Sequence, residues 1–298
     1  MKSFIFQNTN NSIAVTCLKS LHQLESVESD YNVVFDREYD ILVNDKKISR
    51  KFYTLDDRHI YDNILSKSEC ILLEFDLDFT CDPATSYREY IAKKIGIEFS
   101  EVPLPPLDVY TTTEQIVNAQ KLITDSNKHN FSNVLFAPFN LDISYYNFKR
   151  FDNTFYDLTL SSFTPESANS IYDFLDKKVN IIQILPTQDK EFNLSELYYL
   201  VQEVDYVISN LDILHVIAHD LKKPSFLNLG RFTKYYQKSS FCTIYDPQRN
   251  VKKALPSKLF RKNYEHVLGY NNQVLSENIE EIKKKIIQSF DKHKIAYK

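Results

Sequence analysis

The residues best suited to chemistry gather in DYVISNLDILHVIAHDLKKPSFLNLG, residues 205–230. Asn210, Asp212, His215, His219 and Gly230 fall close together there, with Arg231 and Thr233 just beyond. The hydrophobic period changes twice along this stretch: 206–209 reads as a buried strand, 211–222 as a helix and 225–229 as a second strand. A helix opening near Leu211 presents unpaired N–H groups and the positive end of its dipole to an anion. Gly230 lets the backbone approach a ligand closely, and Arg231 or Thr233 can donate to the oxygens of an anion. The plainer reading makes the same side chains structural. His215 and His219 are then satisfied core residues of an apolar helix, and Asp212 is a helix-start acid stabilised by the dipole.

Composition removes several other chemistries. The chain has only three glycines, Gly96, Gly230 and Gly269, so no Gly-rich phosphate loop of the GxGxxG or GxxxxGK kind exists in it. Cys17, Cys70, Cys81 and Cys242 form no CxxC pair or other metal spacing and read as reduced thiols, so no disulfide and no zinc site is expected. A formal charge of −4 gives no global attraction to nucleic acid or to an anionic membrane. Locally, RNVKKALPSKLFRK at 249–262 is basic without an acid: a solvated face, or a loop that closes on phosphates or on an anionic acceptor. Neither a signal h-region nor a membrane-length apolar run occurs, and the expected location is cytoplasmic.

These residues need a scaffold, and the 298 residues suffice for two domains. In the first half, 3–7, 32–35, 41–43 and 69–77 read as strands and 13–24 and 85–97 as helices, the latter stopped near Gly96. The proline-rich 101–110 is the best linker, followed by a helical pattern at 113–126. In the second half, 133–139 and 179–185 read as strands and 165–178 as a helix, and Asn193 with Glu196 fits a capping box before LSELYYLVQEV. Ile279, Ile282, Ile286 and Phe290 mark one face of a last amphipathic helix. The expectation is an α/β protein of GT-B outline: two Rossmann-like domains, 1–128 and 129–275, facing each other across a cleft, with a C-terminal helix at 276–298.

The stretch also carries a resemblance. Leu194, Glu196 and Leu197, the strand Val207 to Ser209, then Asp212, His215, Ala218, Lys223, Pro224, the strand Phe226 to Leu229, Gly230 and Thr233 follow in the order of the sugar-donor half of heptosyltransferase-like glycosyltransferases. That family includes the ADP-heptose:lipopolysaccharide heptosyltransferases. Asn210, five residues before His215, is not an acid, and no glycine intervenes between Asp212 and His215. The resemblance implies an inverting, metal-independent transfer of a sugar from a nucleotide-sugar donor, which is substrate and not cofactor. The acceptor is a glycan, a lipid-linked molecule or another hydroxyl compound. Asn210, Asp212, His215, Gly230, Arg231 and Thr233 would lie at the sugar donor, and Lys149 and Arg150, which follow strand 133–139, are placed by that position to approach the donor or its leaving phosphate.

Family members open with a Gly-x-Gly-Asp loop whose aspartate is placed as general base. Here the first strand runs into Asn8, Thr9, Asn10, Asn11 and Ser12. Amides and hydroxyls do not take a proton near neutral pH as a carboxylate does. Asp76 and Asp78, at the end of strand 69–77, and Glu74 within it are the replacements considered. Two other readings stand beside the enzyme: a GT-B binding or partner protein that has lost transfer, and a glycosyltransferase acting on nucleic acid, which the charge balance disfavours.

Overall fold

The structure is a computed structural model that describes residues 1–57, 59–75, 87–99, 105–128, 130–139, 141, 163, 165–185, 193–210, 212–228, 240–245 and 278–298. The chain forms two compact units, Met1–Ala119 with Phe192–Tyr199, and Gln120–Glu191 with Leu200–Lys298.

The first unit is built from β1 (Lys2–Gln7), α1 (Asn11–Glu25), β2 (Tyr31–Phe35), α2 (Asp40–Val43), β3 (Phe52–Thr54), α3 (His59–Asn63), β4 (Glu69–Glu74) and α4 (Tyr87–Ile95), and α5 (Thr113–Ser126) begins in it. Its four strands are parallel in the order β3-β2-β1-β4. Alternation along β1 buries Phe4 and Phe6, and the Phe6 ring stacks on Phe35 of β2 at 4.5 Å. α1 covers the sheet with Ile13, Ala14, Cys17, Leu18, Leu21 and Leu24. Gly96 ends α4 at φ +80, a conformation that costs a residue with a Cβ considerably more. Residues 41–43, expected as a strand, are the helical turn α2, in which the Val43 and Asn44 N–H groups donate to the carbonyls of Tyr39 and Asp40. Three apolar residues carry no period of their own, and Asp40 in the first turn favours the helix.

The second unit contains β5 (Asn133–Phe136), α6 (Pro165–Leu175), β6 (Asn180–Gln183), β7 (Tyr206–Asn210), α8 (Ile213–Asp220), β8 (Ser225–Asn228), β9 (Cys242–Tyr245) and α9 (Ile279–His293). α7 (Leu194–Glu203) begins among residues of the first unit and ends among those of the second. The five strands are parallel in the order β6-β5-β7-β8-β9. One face of this sheet, with Val134, Phe136, Tyr206, Ile208 and Phe226, packs on α6 and α9. α9 contributes Ile282, Ile286 and Phe290, all fully buried, with Ile279 half-buried at its start. Ser289 of α9 accepts from the Tyr206 hydroxyl and from Thr243 Oγ1, the latter at 2.8 Å, so the helix is joined to β7 and β9 by hydrogen bonds as well as by packing.

Strand order fixes where ligands can sit. In an open parallel sheet the crevice opens beyond the carboxyl ends of two neighbouring strands whose connections leave in opposite directions. In the second sheet these strands are β5 and β7, whereas in the first the helices that follow β1 and β4, α1 and α4, pack against each other.

Candidate functional site

At the carboxyl edge of the second sheet, β7 ends in Asn210 and leads through Asp212 into α8. Asn210 is fully buried, and its side-chain amide donates to the Ala137 carbonyl at 3.0 Å. Its side-chain oxygen accepts from Asn228 Nδ2 at 3.2 Å, so one carboxamide ties the ends of β5, β7 and β8 together. Asp212 is the N-cap of α8, and its Oδ1 accepts the N–H groups of Leu214 and His215 at 3.0 and 3.4 Å. Its Oδ2 accepts the Leu141 N–H at 3.3 Å. The helix starts at Ile213, close to the expected Leu211, and part of its N-terminal N–H set is already satisfied by its own cap. Asn210 and Asp212 build the edge of the sheet.

His215 differs from both. It is 3% exposed and sits in the first turn of α8, and neither of its ring nitrogens has a hydrogen-bond partner. Burial, and after it the neighbouring His219, push its pKa down to about 3, so the ring is neutral at ordinary pH. The two ring centroids lie 6.3 Å apart. A neutral imidazole offers one donor and one acceptor, and leaving both unmade in a buried place costs about 1–3 kcal/mol per group. Ser209 Oγ, next to Asn210 on β7, is likewise buried and unpartnered. Two unsatisfied polar side chains thus belong to the strand end and helix start that flank the β5–β7 switch point.

The carboxyl edge of the first sheet holds a second polar group. The β1–α1 loop carries Asn10 as N-cap of α1, its side chain accepting the Ile13 N–H at 2.8 Å. Asn8, at φ 56, occupies the left-handed region, which asparagine tolerates better than most residues. Between them, Thr9 donates through its N–H to Asp36 Oδ2 at 3.0 Å and through its hydroxyl to Asp36 Oδ1. Asp36 directly follows β2, and its own N–H donates to the Phe6 carbonyl at 3.1 Å. The Thr9 hydroxyl also meets the Tyr39 hydroxyl at 2.7 Å, and Arg37 Nε donates to Tyr39 Oη at 2.8 Å. Burial raises the Tyr39 pKa to about 12 against the lowering effect of Thr9 and Arg37. The sequence reading missed Asp36; the available signal was an acid immediately after the buried run YNVVF.

Gly230, Arg231, Thr233, Lys149, Arg150, Asp76 and Asp78 lie outside the described residues, as does the basic run 249–262. Asn193 caps α7 as expected, accepting from Ser195 and Glu196 at 3.0 and 3.3 Å. Asp40 adds a second acceptor, with Leu194 and Ser195 donating to its carboxylate at 3.2 and 3.1 Å. A cavity of about 480 Å³ opens elsewhere, lined by Ser170, Asp173, Phe174, Lys177, Lys178, Lys283 and Lys298. It lies where α6 leads into the amino end of β6, away from the carboxyl edge of the second sheet. Among the described residues, Cys17, Cys70 and Cys242 are free thiols, and no helix is long and apolar enough to cross a membrane.

No protein-family profile matches the sequence, and no curated protein matches it. Solved structures do match. A glycosyl transferase family 9 protein from Veillonella parvula superposes with a TM-score of 0.56 at 10% identity, covering 98% of this chain and 98% of its own. ADP-heptose LPS heptosyltransferase II of E. coli gives 0.55 at 8% identity, covering 99% of this chain and 100% of its own. The iron-containing dodecameric glycosyltransferase TibC of enterotoxigenic E. coli gives 0.52 at 10% identity, over 82% of this chain and 63% of its own. Among the described residues of this chain, no three His, Cys, Asp or Glu side chains gather as an ion would require. The chain has the GT-B fold of the heptosyltransferase-like glycosyltransferases, at a sequence identity so low that fold is what the likeness establishes.

Proposed function

We propose that the chain is a glycosyltransferase that takes a sugar from a nucleotide-sugar donor held at the carboxyl edge of the second sheet. The acceptor is a hydroxyl compound held at the carboxyl edge of the first. The observation that carries this reading is His215: a buried neutral imidazole with both nitrogens unpartnered, next to the β5–β7 switch point, in a fold shared with glycosyltransferases. Such a ring can accept from a hydroxyl and donate to a phosphate or sugar oxygen without adding charge. Gly230, Arg231, Thr233 and Lys149 remain proposed partners of the diphosphate, with close backbone approach at the glycine and donors at the other three. Asn210 and Asp212 shape the site by holding its edge.

The reaction is a single displacement. The acceptor oxygen attacks the anomeric carbon and loses its proton to a base as the bond forms. The carbon–oxygen bond to the diphosphate breaks, and the nucleoside diphosphate leaves with the electron pair. Configuration at the anomeric carbon inverts. Fixed donors aimed at the leaving oxygens stabilise the charge that develops on them, which is the larger catalytic share in a preorganised site.

The test is a release assay. The full chain is mixed with ADP-heptose, the sugar donor named for the E. coli neighbour, and separately with UDP-glucose, UDP-N-acetylglucosamine and GDP-mannose; free nucleoside diphosphate is then measured. Release above the rate without protein from one of the four, lost in His215→Leu, supports the reading. Binding without release favours the second reading, a GT-B binding protein. One observation speaks for it: the β1–α1 loop spends Asn10 on capping and carries no acid of its own.

A further inference from the structure

The family's aspartate is missing from the β1–α1 loop, yet a carboxylate is bonded to that loop. Asp36 is supplied by the next strand, β2, and both of its oxygens accept from Thr9, one from the backbone N–H and one from the hydroxyl. Because the Thr9 hydroxyl has one proton and gives it to Asp36, the Tyr39 hydroxyl must donate to Thr9, and Arg37 Nε in turn donates to Tyr39. The four groups form one directed chain, Arg37 to Tyr39 to Thr9 to Asp36, with the cation at one end and the anion at the other. Such a chain fixes the rotamer of the carboxylate. Each carboxylate oxygen still keeps a lone pair, since an ionised carboxyl group has about four acceptor positions and Thr9 fills one on each oxygen.

The position matters as much as the bonding. Thr9 lies just beyond β1 and Asp36 just beyond β2, neighbouring strands, so both sit at the carboxyl edge of the first sheet. Asp36 is half-buried, so it is partly desolvated and still reachable. A carboxylate that arrives from a neighbouring strand can stand in for one carried by the loop itself, since proton transfer depends on where the oxygen lies and not on which residue bears it.

We propose that Asp36 is the general base of this chain: it takes the proton of the acceptor hydroxyl as that oxygen bonds to the anomeric carbon. Thr9 is its positioning residue, and Tyr39 and Arg37 hold Thr9. The assignment rests on the glycosyltransferase reading above, and it competes with Asp76 and Asp78.

The experiment uses the full chain, the nucleotide sugar that gives the largest thermal shift among the four named above, and water or glycerol as the acceptor. The parent is expected to release nucleoside diphosphate with a rate that falls at acid pH through one protonation. Asp36→Asn should keep the thermal shift, lose release by roughly 10² to 10⁴-fold, and lose the acid limb of the pH profile. Thr9→Val keeps the carboxylate but removes a donor to it, so its acid limb should move to higher pH. This second variant reads out the same assignment should Asp36→Asn fail to fold. Release by Asp36→Asn within a few-fold of the parent overturns the proposal. So does an unmoved limb in Thr9→Val, or loss of the limb in Asp76→Asn or Asp78→Asn instead. A parent that binds the nucleotide sugar but releases nothing also overturns it. Absence of any thermal shift removes the glycosyltransferase reading itself, and the assignment with it.

Discussion

Asn228 donates to the side-chain oxygen of Asn210 across β8 and β7 at 3.2 Å, and Asn210 donates onward to the Ala137 carbonyl at 3.0 Å. Both asparagines are fully buried, so this pair replaces solvent at the edge where the site is placed. Asn210→Ala removes the side-chain donor to the Ala137 carbonyl and the acceptor of the Asn228 amide bond across the strands. A loss of roughly 1–3 kcal/mol is expected in urea unfolding, since a buried polar group without its partner costs about that much.

His215 gives a prediction of opposite sign. Its two ring nitrogens are buried without partners, so His215→Leu should raise the stability of the free protein by about 1 kcal/mol or more while removing binding of the nucleotide sugar. Thermal melts with and without the sugar donor check both halves. A variant that is destabilised and still binds would show that the imidazole has a structural partner and no ligand role.

The same residue sets a pH dependence. Burial and His219 lower its folded pKa to about 3, while the unfolded chain has about 6.5. Below the unfolded value the unfolded state takes a proton that the folded state refuses, so this contribution to stability is complete above pH ~6.5 and declines as the pH falls towards the folded value. The slope is about 1.4 kcal/mol per pH unit for one proton. Urea titrations between pH 7.5 and 4.5 should show a steeper decline in the parent than in His215→Leu.

The last helix is part of the second unit's core. Phe290 is fully buried and meets the Tyr206 ring edge-on at 4.9 Å. Phe290→Ala should cost about 3–5 kcal/mol, the range for deleting a buried aromatic ring. Tyr206→Phe should cost less, because Ser289 keeps its bond from Thr243. Chemical denaturation of the two variants side by side ranks them.

Much of the scaffold was legible in the sequence, for identifiable reasons. β1, β4, β5 and β7 lie in runs too apolar and too rich in branched or aromatic residues for loops, and α9 declared itself by Ile282, Ile286 and Phe290 on one face. α2 was misread because Ile41, Leu42 and Val43 are too few to show a period, whereas Gly96 marked the end of α4 by its backbone freedom. Asp212 was open between cap and ligand on sequence, and the bonds from Leu214 and His215 show that it caps α8. Asn210 and Asp36 were not legible as what they are. Their partners come from other strands and loops, Ala137 and Asn228 for one and Thr9 for the other, and a linear reading places none of these beside them.

On the proposed function, the second unit binds a nucleotide sugar through the edge that carries His215. Isothermal titration of the full chain with the same four nucleotide sugars, repeated with His215→Leu, tests it most directly. Saturable binding of at least one sugar donor to the parent is expected, with affinity reduced tenfold or more in the variant, the equivalent of about 1.4 kcal/mol or more. No saturable binding by any of the four, or equal affinity in parent and variant, would contradict it.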